Sequence, residues 1–242
     1  MVRINLSYKP GKIIIFSDLH ANWEALFVLQ QSAPQPLAVL CLGDSVGYGP
    51  DPHRCVTALR AGVTYALAGP HDRAMADEST DSAGNLLAAS WAHARQLLPA
   101  ADRAYLAALP AQLTVSLAGV RFHLTRLQPD DSTTEDCTLI TMPQAELQRR
   151  FAAVDADIIL LGGPHIPAMR QLDHRLIICP GSLGQPRYGV PEPTFAVWHN
   201  GRAQIHHLHY DPHVTARKLS LLPLAPEHRL HLQSVLHTGG TE

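Results

Sequence analysis

The chain has 242 residues, of which 46% are hydrophobic and 17% charged, and a formal net charge of −2 at pH 7. This balance suits one large globular domain, residues 1–242, with a sizeable core. It excludes a membrane span, since no apolar run approaches the ~18–20 residues one needs, and without a basic footprint nucleic acid is not indicated as a partner.

The N-terminal MVRINLSYKPGK leads directly into a strand pattern, without the apolar stretch and cleavage site of a signal peptide. Lys12–Phe16 is a short β-branched run and predicts a buried strand. Trp23–Gln31 predicts a helix with Asn22 as its N-cap and Pro34 beyond its end. Leu37–Leu42 is a second buried strand, His53–Arg60 a helix and Thr64–Leu67 a third strand, with Gly47-Tyr48-Gly49-Pro50 as turn chemistry between. Such a β-α-β-α-β rhythm argues for a parallel core of crossover units. Asn85–Leu109 reads as two helices broken near Pro99, with Asp102 as a cap. Strands Gln112–Leu117 and Val120–Leu124 flank Ala118-Gly119, and helix Gln144–Val154 precedes strand Ile158–Leu161. Two further hairpins follow, Met169–Leu172 with Leu176–Cys179, and Thr194–Trp198 with Ala203–Leu208 around Asn200-Gly201. The tail from Val214 to Leu236 is helical in two pieces, interrupted at Pro223 and Pro226.

Cys41, Cys55, Cys137 and Cys179 form no CxxC pair and read as free thiols of a reducing compartment, so the expected location is cytoplasmic.

Polar residues cluster where apolar strands end: Asp18-Leu19-His20, Gly43-Asp44, Gly69-Pro70-His71-Asp72 and Gly162-Gly163-Pro164-His165, with Arg121-Phe122-His123 on a later strand. Ligands of open α/β sheets bind outside the carboxyl ends of strands, and carboxylates with imidazoles are the ligand set of zinc, iron or manganese. Taken singly, each segment also fits a plainer role as a helix cap, a strand-ending turn, a loop histidine or a satisfied strand histidine. Their joint occurrence in one order favours a single site. His206-His207-Leu208-His209 reads as a solvated strand face, and Trp23, Trp91 and Trp198 as core or interface residues.

The order Asp18-x-His20, Gly43-Asp44-Ser45-Val46-Gly47-Tyr48-Gly49-Pro50, Gly69-Pro70-His71-Asp72, His123-Leu124, Gly162-Gly163-Pro164-His165 and Pro180-Gly181-Ser182 resembles the calcineurin-like metallophosphoesterases. The single-domain bacterial and archaeal branch is the one it is most similar to, over essentially the whole chain. The resemblance implies a four-layer α-β-β-α sandwich of two mixed sheets. It makes Asp18, His20 and His165 ligands of a first metal, Asp44 a bridging carboxylate and His123 a ligand of a second metal. His71 would protonate the leaving oxygen, with Asp72 behind it. The chain departs from the family where Pro70 replaces an asparagine ligand, Gly163 a histidine ligand and Leu124 a glycine. The expectation is therefore one tight divalent transition metal (manganese, iron or zinc) and a second site that is weak or absent. A phosphomonoester or phosphodiester would be hydrolysed by a metal-activated water, and the partner would be a phosphorylated small molecule or nucleotide. The alternative is a catalytically inactive binding or scaffold protein for a nucleotide, a phospho-ligand or a protein.

Overall fold

The computed structural model describes residues 11–76, 85–126 and 139–240. Two five-stranded sheets carry the fold. The first is ordered β10-β9-β1-β2-β3, from β1 (Ile13–Phe16), β2 (Ala38–Cys41), β3 (Tyr65–Ala66), β9 (Thr194–His199) and β10 (Arg202–His207). The second is β4-β5-β6-β8-β7, from β4 (Leu113–Leu117), β5 (Val120–Arg126), β6 (Ile158–Gly162), β7 (Pro167–Leu172) and β8 (Arg175–Pro180). In the first sheet β1-β2-β3 are parallel and run to one edge, with antiparallel β9 and β10 on the other side, whereas in the second a parallel centre, β5-β6-β8, lies between antiparallel β4 and β7. Both are mixed sheets, as the resemblance implied.

Strand alternation sorts the side chains into layers, because successive residues point to opposite faces. Ile13, Ile15 and Leu40 of one sheet meet Phe122, Leu124 and Leu160 of the other in the central core. Ile14, Phe16 and Cys41 face outward, against α1 (Trp23–Ser32) and α2 (Pro52–Gly62). Ile159, Leu161 and Ile177 face outward from the second sheet, where Leu147 of α6 (Gln144–Arg150) and Phe151 cover them. The result is the four-layer α-β-β-α sandwich. Helices α3 (Pro70–Ala74), α4 (Leu86–Leu97) and α5 (Ala100–Ala108) lie beside α2, and α7 (Pro212–Leu219) packs on α8 (Pro226–Thr238). Among the described residues no helix is long and apolar enough to cross a membrane.

Strand β3 and helix α6 are shorter than the expected Thr64–Leu67 and Gln144–Val154, and three further features differ from the sequence-based expectation. The segment after β3 is a short helix, α3, with Pro70 in its first turn, where the missing N–H costs nothing. Asp102 is not a cap: it is buried inside α5 and binds His53 and Arg60. Strand β5 continues to Arg126, two residues beyond Leu124, paired to Gly162 of β6. Cys41, Cys55 and Cys179 are buried and free, and Cys137 lies outside the described residues.

Asn22 joins three parts of the chain near the strand ends. Its Oδ1 caps α1 by accepting from the Ala25 N–H at 3.2 Å and also accepts from Thr215 of α7. Its amide donates to the Gly184 carbonyl and to Tyr210. Replacing it with alanine removes the cap and leaves buried partners unpaired, so Asn22→Ala should cost about 2–3 kcal/mol in denaturant unfolding. A loss below about 1 kcal/mol would contradict this role.

Candidate metal and phosphate site

The parallel strands of both sheets deliver their C-terminal loops to one cleft. The β1 and β2 loops run side by side, with Asp18 N–H bonded to Gly43 O, His20 N–H to Asp44 O and Ala21 N–H to Ser45 O. The loop after β8 closes on them: the Ser182 hydroxyl donates to Asp18 O at 2.7 Å and accepts from Gln185 N–H at 2.8 Å. This gives Pro180-Gly181-Ser182 a structural reason to belong to the motif.

The backbone here is unusual. Asp18, His20, Asp44, Tyr48 and His165 all have positive φ, between 46° and 60°. That left-handed region is costly for residues other than glycine and tends to mark functional sites. Glycines provide seats for the side chains. A Cβ on Gly47 would lie 2.2 Å from His71 Nδ1, and one on Gly69 would lie 2.1 Å from Asp44 Oδ1.

Two groups of ligand-type atoms lie within 4.8 Å of one another: Asp18, His20 and His165, and His20, Asp44 and His71. All five residues are buried. His165 Nδ1 bonds the Gln185 carbonyl at 2.7 Å, so its proton resides there and its Nε2 carries a lone pair. That Nε2 lies 3.1 Å from His20 Nε2, while His20 Nδ1 is buried with no partner among the described residues. Burial, reinforced by His71 and His165, holds His20 well below the usual histidine range. His165 is lowered to about 4, chiefly by burial and against the pull of Asp18. Both imidazoles are thus in the neutral form that ligates metals.

The donor set fits a divalent transition ion. Two imidazole nitrogens at metal distance from a common ion would stand about 3.0–3.4 Å apart. The imidazole pair matches this spacing. One hydrogen bond between the rings would still leave a buried nitrogen of His20 unpaired.

A guanidinium joins the two carboxylates. Arg126, the last residue of β5, donates from one Nη to Asp18 at 2.9 Å and to Asp44, and from the other to Leu42 O at 2.6 Å. Its side chain is 6% exposed. Burial opposes the ionised form of Asp18, but Arg126 and then His165 outweigh it and hold the carboxyl below its ordinary value. At Asp44 burial prevails over Arg126, and the carboxyl is raised. Asp44 also accepts the His71 backbone N–H, and Asp18 that of Gly163.

His71 sits in the first turn of α3. Its Nδ1 accepts from the Trp91 indole at 3.0 Å, which assigns the proton of the neutral ring to Nε2. Burial, with Arg126 and Arg187, lowers its pKa to about 3. Asp72 does not stand behind this ring. Its two oxygens accept the backbone N–H groups of Ser45 and Gly69, so it fastens the β2 and β3 loops together. Burial and the Asp44 charge push its pKa up to about 7.

The structure does not bring His123 to the cluster. It points away from the central core, and its Nδ1 pairs with Thr114 at 2.8 Å. Leu124 packs in the central core and crowds no ligand. The residue of β5 that reaches the site is Arg126, which shares the alternation of Val120, Phe122 and Leu124. That pattern was available in the sequence. The pairing of Trp91 with His71 carried no comparable signal.

Above these groups opens a cavity of about 540 Å³, lined by Arg73, Arg126 and Arg187 together with Tyr48, His71 and Trp91. Arg187 lies over the Tyr48 ring at 5.7 Å. Three guanidiniums with flanking aromatic rings favour an anion that carries an organic group.

A sequence profile described as the calcineurin-like phosphoesterase superfamily domain matches residues 12–201. An uncharacterised protein of Methanocaldococcus jannaschii is 25% identical over 204 residues, 77% of this chain and 82% of its own. A metallophosphoesterase from Sphaerobacter thermophilus superposes with a TM-score of 0.76 at 23% identity, covering 96% of this chain and 100% of its own. A hypothetical protein from Pyrococcus horikoshii gives 0.79 at 19% identity, covering 96% and 99%. At those identities the two structures establish the shared fold. With the profile spanning most of its length, the chain belongs to the calcineurin-like phosphoesterase superfamily.

Proposed function

We propose that the protein is a metal-dependent phosphoesterase with one tight divalent site formed by Asp18, His20, Asp44 and His165. The observation that carries this reading is the pair of buried imidazole nitrogens facing one another at 3.1 Å beside two carboxylates. A divalent ion bound there would lower the pKa of a water and offset charge developing on phosphorus. Manganese, iron and zinc all suit the mixed oxygen and nitrogen set.

The remaining steps belong to the chain's own groups. The arginines of the cavity would bind and orient the phosphoryl oxygens of a phosphomonoester or phosphodiester, and Tyr48 and Trp91 would flank its organic group. His71 would donate a hydrogen bond from Nε2 to a phosphoryl oxygen. A second proton on its ring would have to displace the Trp91 bond, which argues for a fixed donor rather than a proton carrier. Asp72 would act only through the loops it fastens. The buried free thiols accord with a cytoplasmic location.

A second reading, a phospho-ligand binder without turnover, draws support from Arg126 between the two carboxylates. Hydrolysis of an aryl phosphodiester or phosphomonoester with added manganese separates the two. Metal-dependent turnover supports the enzyme, whereas phosphate binding without turnover supports the binder.

A saturating divalent ion ties the strand-end loops together and should raise the melting temperature, since an ion at about 100 times its Kd adds ~2.7 kcal/mol. Asp18→Ala and His165→Ala should abolish that gain. Unchanged melting across manganese and zinc titrations, with no metal by elemental analysis, would overturn the metal reading. His71→Ala should lower turnover about 10²–10³-fold, the usual effect of losing one preorganised donor, with metal content unchanged. The loss should be equal for nitrophenyl and alkyl esters. A loss concentrated on the alkyl ester would instead make His71 the proton donor to the leaving oxygen.

A further inference from the structure

We propose that Arg126 is the second cation of this centre, its guanidinium standing permanently between Asp18 and Asp44 in place of a second divalent ion. The inference rests on the metal-dependent reading above and specifies how that site is charged.

The geometry carries it. The guanidinium reaches both carboxylates and the Leu42 carbonyl, which ties it to the strand-end loops of β1 and β2. These bonds use three of its five N–H donors, and the group still lines the cavity beside Arg73 and Arg187. Its backbone is held in the β5–β6 ladder opposite Gly162, so the side chain is presented by a strand and not by a loose loop.

Charge arithmetic agrees. Two ligating carboxylates bring two negative charges, and Arg126 neutralises one. One divalent ion on His20 and His165 leaves the centre with a single net positive charge. A second divalent ion would have to sit against the guanidinium, and like charges at that range repel strongly in a buried site. Of the two positions where the resemblance expects side-chain ligands of a second ion, neither supplies one. Pro70 has no side-chain donor atom, and Gly163 holds φ at 114°, where a side chain is strained. The centre is built for one metal and one arginine.

The experiment is metal counting and melting on the full chain, with manganese or with EDTA, for the wild type, Arg126→Ala and Arg126→Lys. The wild type should bind one tight ion per chain. Arg126→Ala uncovers two facing carboxylates, so it should melt several degrees lower in EDTA. It should then recover with manganese by more than the wild type gains, and bind two ions. Arg126→Lys keeps the charge and should stay at one ion. If the alanine variant does not fold without metal, the wild-type and lysine counts still decide the question. Two tight ions in the wild type, or one ion and an unchanged manganese response in Arg126→Ala, would overturn the inference and leave the metal reading intact. No metal in the wild type would overturn both.

Discussion

A guanidinium shared by two buried carboxylates is the interaction on which the centre depends. Asp18 lies in the loop after β1, Asp44 in the loop after β2, and Arg126 ends β5, so the triad crosses the sandwich and joins its two sheets at the strand ends. Removing such charges from water costs several kcal/mol per ion, and their attraction offsets that cost only when the remaining donors and acceptors are also satisfied. Here Asp18 and Asp44 each take a backbone N–H besides the arginine, and Arg126 donates a further bond to Leu42 O. A buried ion triad is weak evidence of stability. Its position beside two neutral imidazoles makes better sense as a site whose charge is set in advance.

The same centre concentrates backbone strain. Residues at positive φ cost ~1–3 kcal/mol each and persist only when the surroundings determine them. Asp18, His20, Asp44, Tyr48 and His165 share that conformation, and all belong to the cluster or its cavity. What holds them is a lattice of loop contacts: the paired β1 and β2 loops, the Ser182 hydroxyl, the two bonds of Asp72 and the bonds of Asn22. The central core, filled by Phe122, Leu124 and their neighbours, fixes the strands from which these loops spring.

Much of this was legible in the sequence because strand periodicity and strand-end residues obey simple rules. Short β-branched runs ending in Asp-x-His or Gly-Asp gave the right strands, and the polar segments did converge at their carboxyl ends. Asn22 as a cap followed from its place before an apolar helix. Single-residue geometry was harder. His123 looked like a ligand by type, yet it lies one step out of phase with Phe122 and Leu124 and so faces the wrong layer. Arg126 keeps the phase, but arginine is not a metal ligand and attracts no notice in a search for ligands. The resemblance placed Asp72 behind His71, while its oxygens are committed to backbone groups from two loops. Positive φ at Asp18, His20, Asp44 and His165 followed from no turn motif in the sequence.

The proposed Asp18–Asp44 centre holds one ion and one guanidinium. Anomalous diffraction from a crystal grown with saturating manganese tests it most directly. The expected result is a single peak within bonding distance of His20 Nε2 and His165 Nε2, with Arg126 still bound to both carboxylates. Two peaks, or one peak with Arg126 turned away from Asp18 and Asp44, would contradict it.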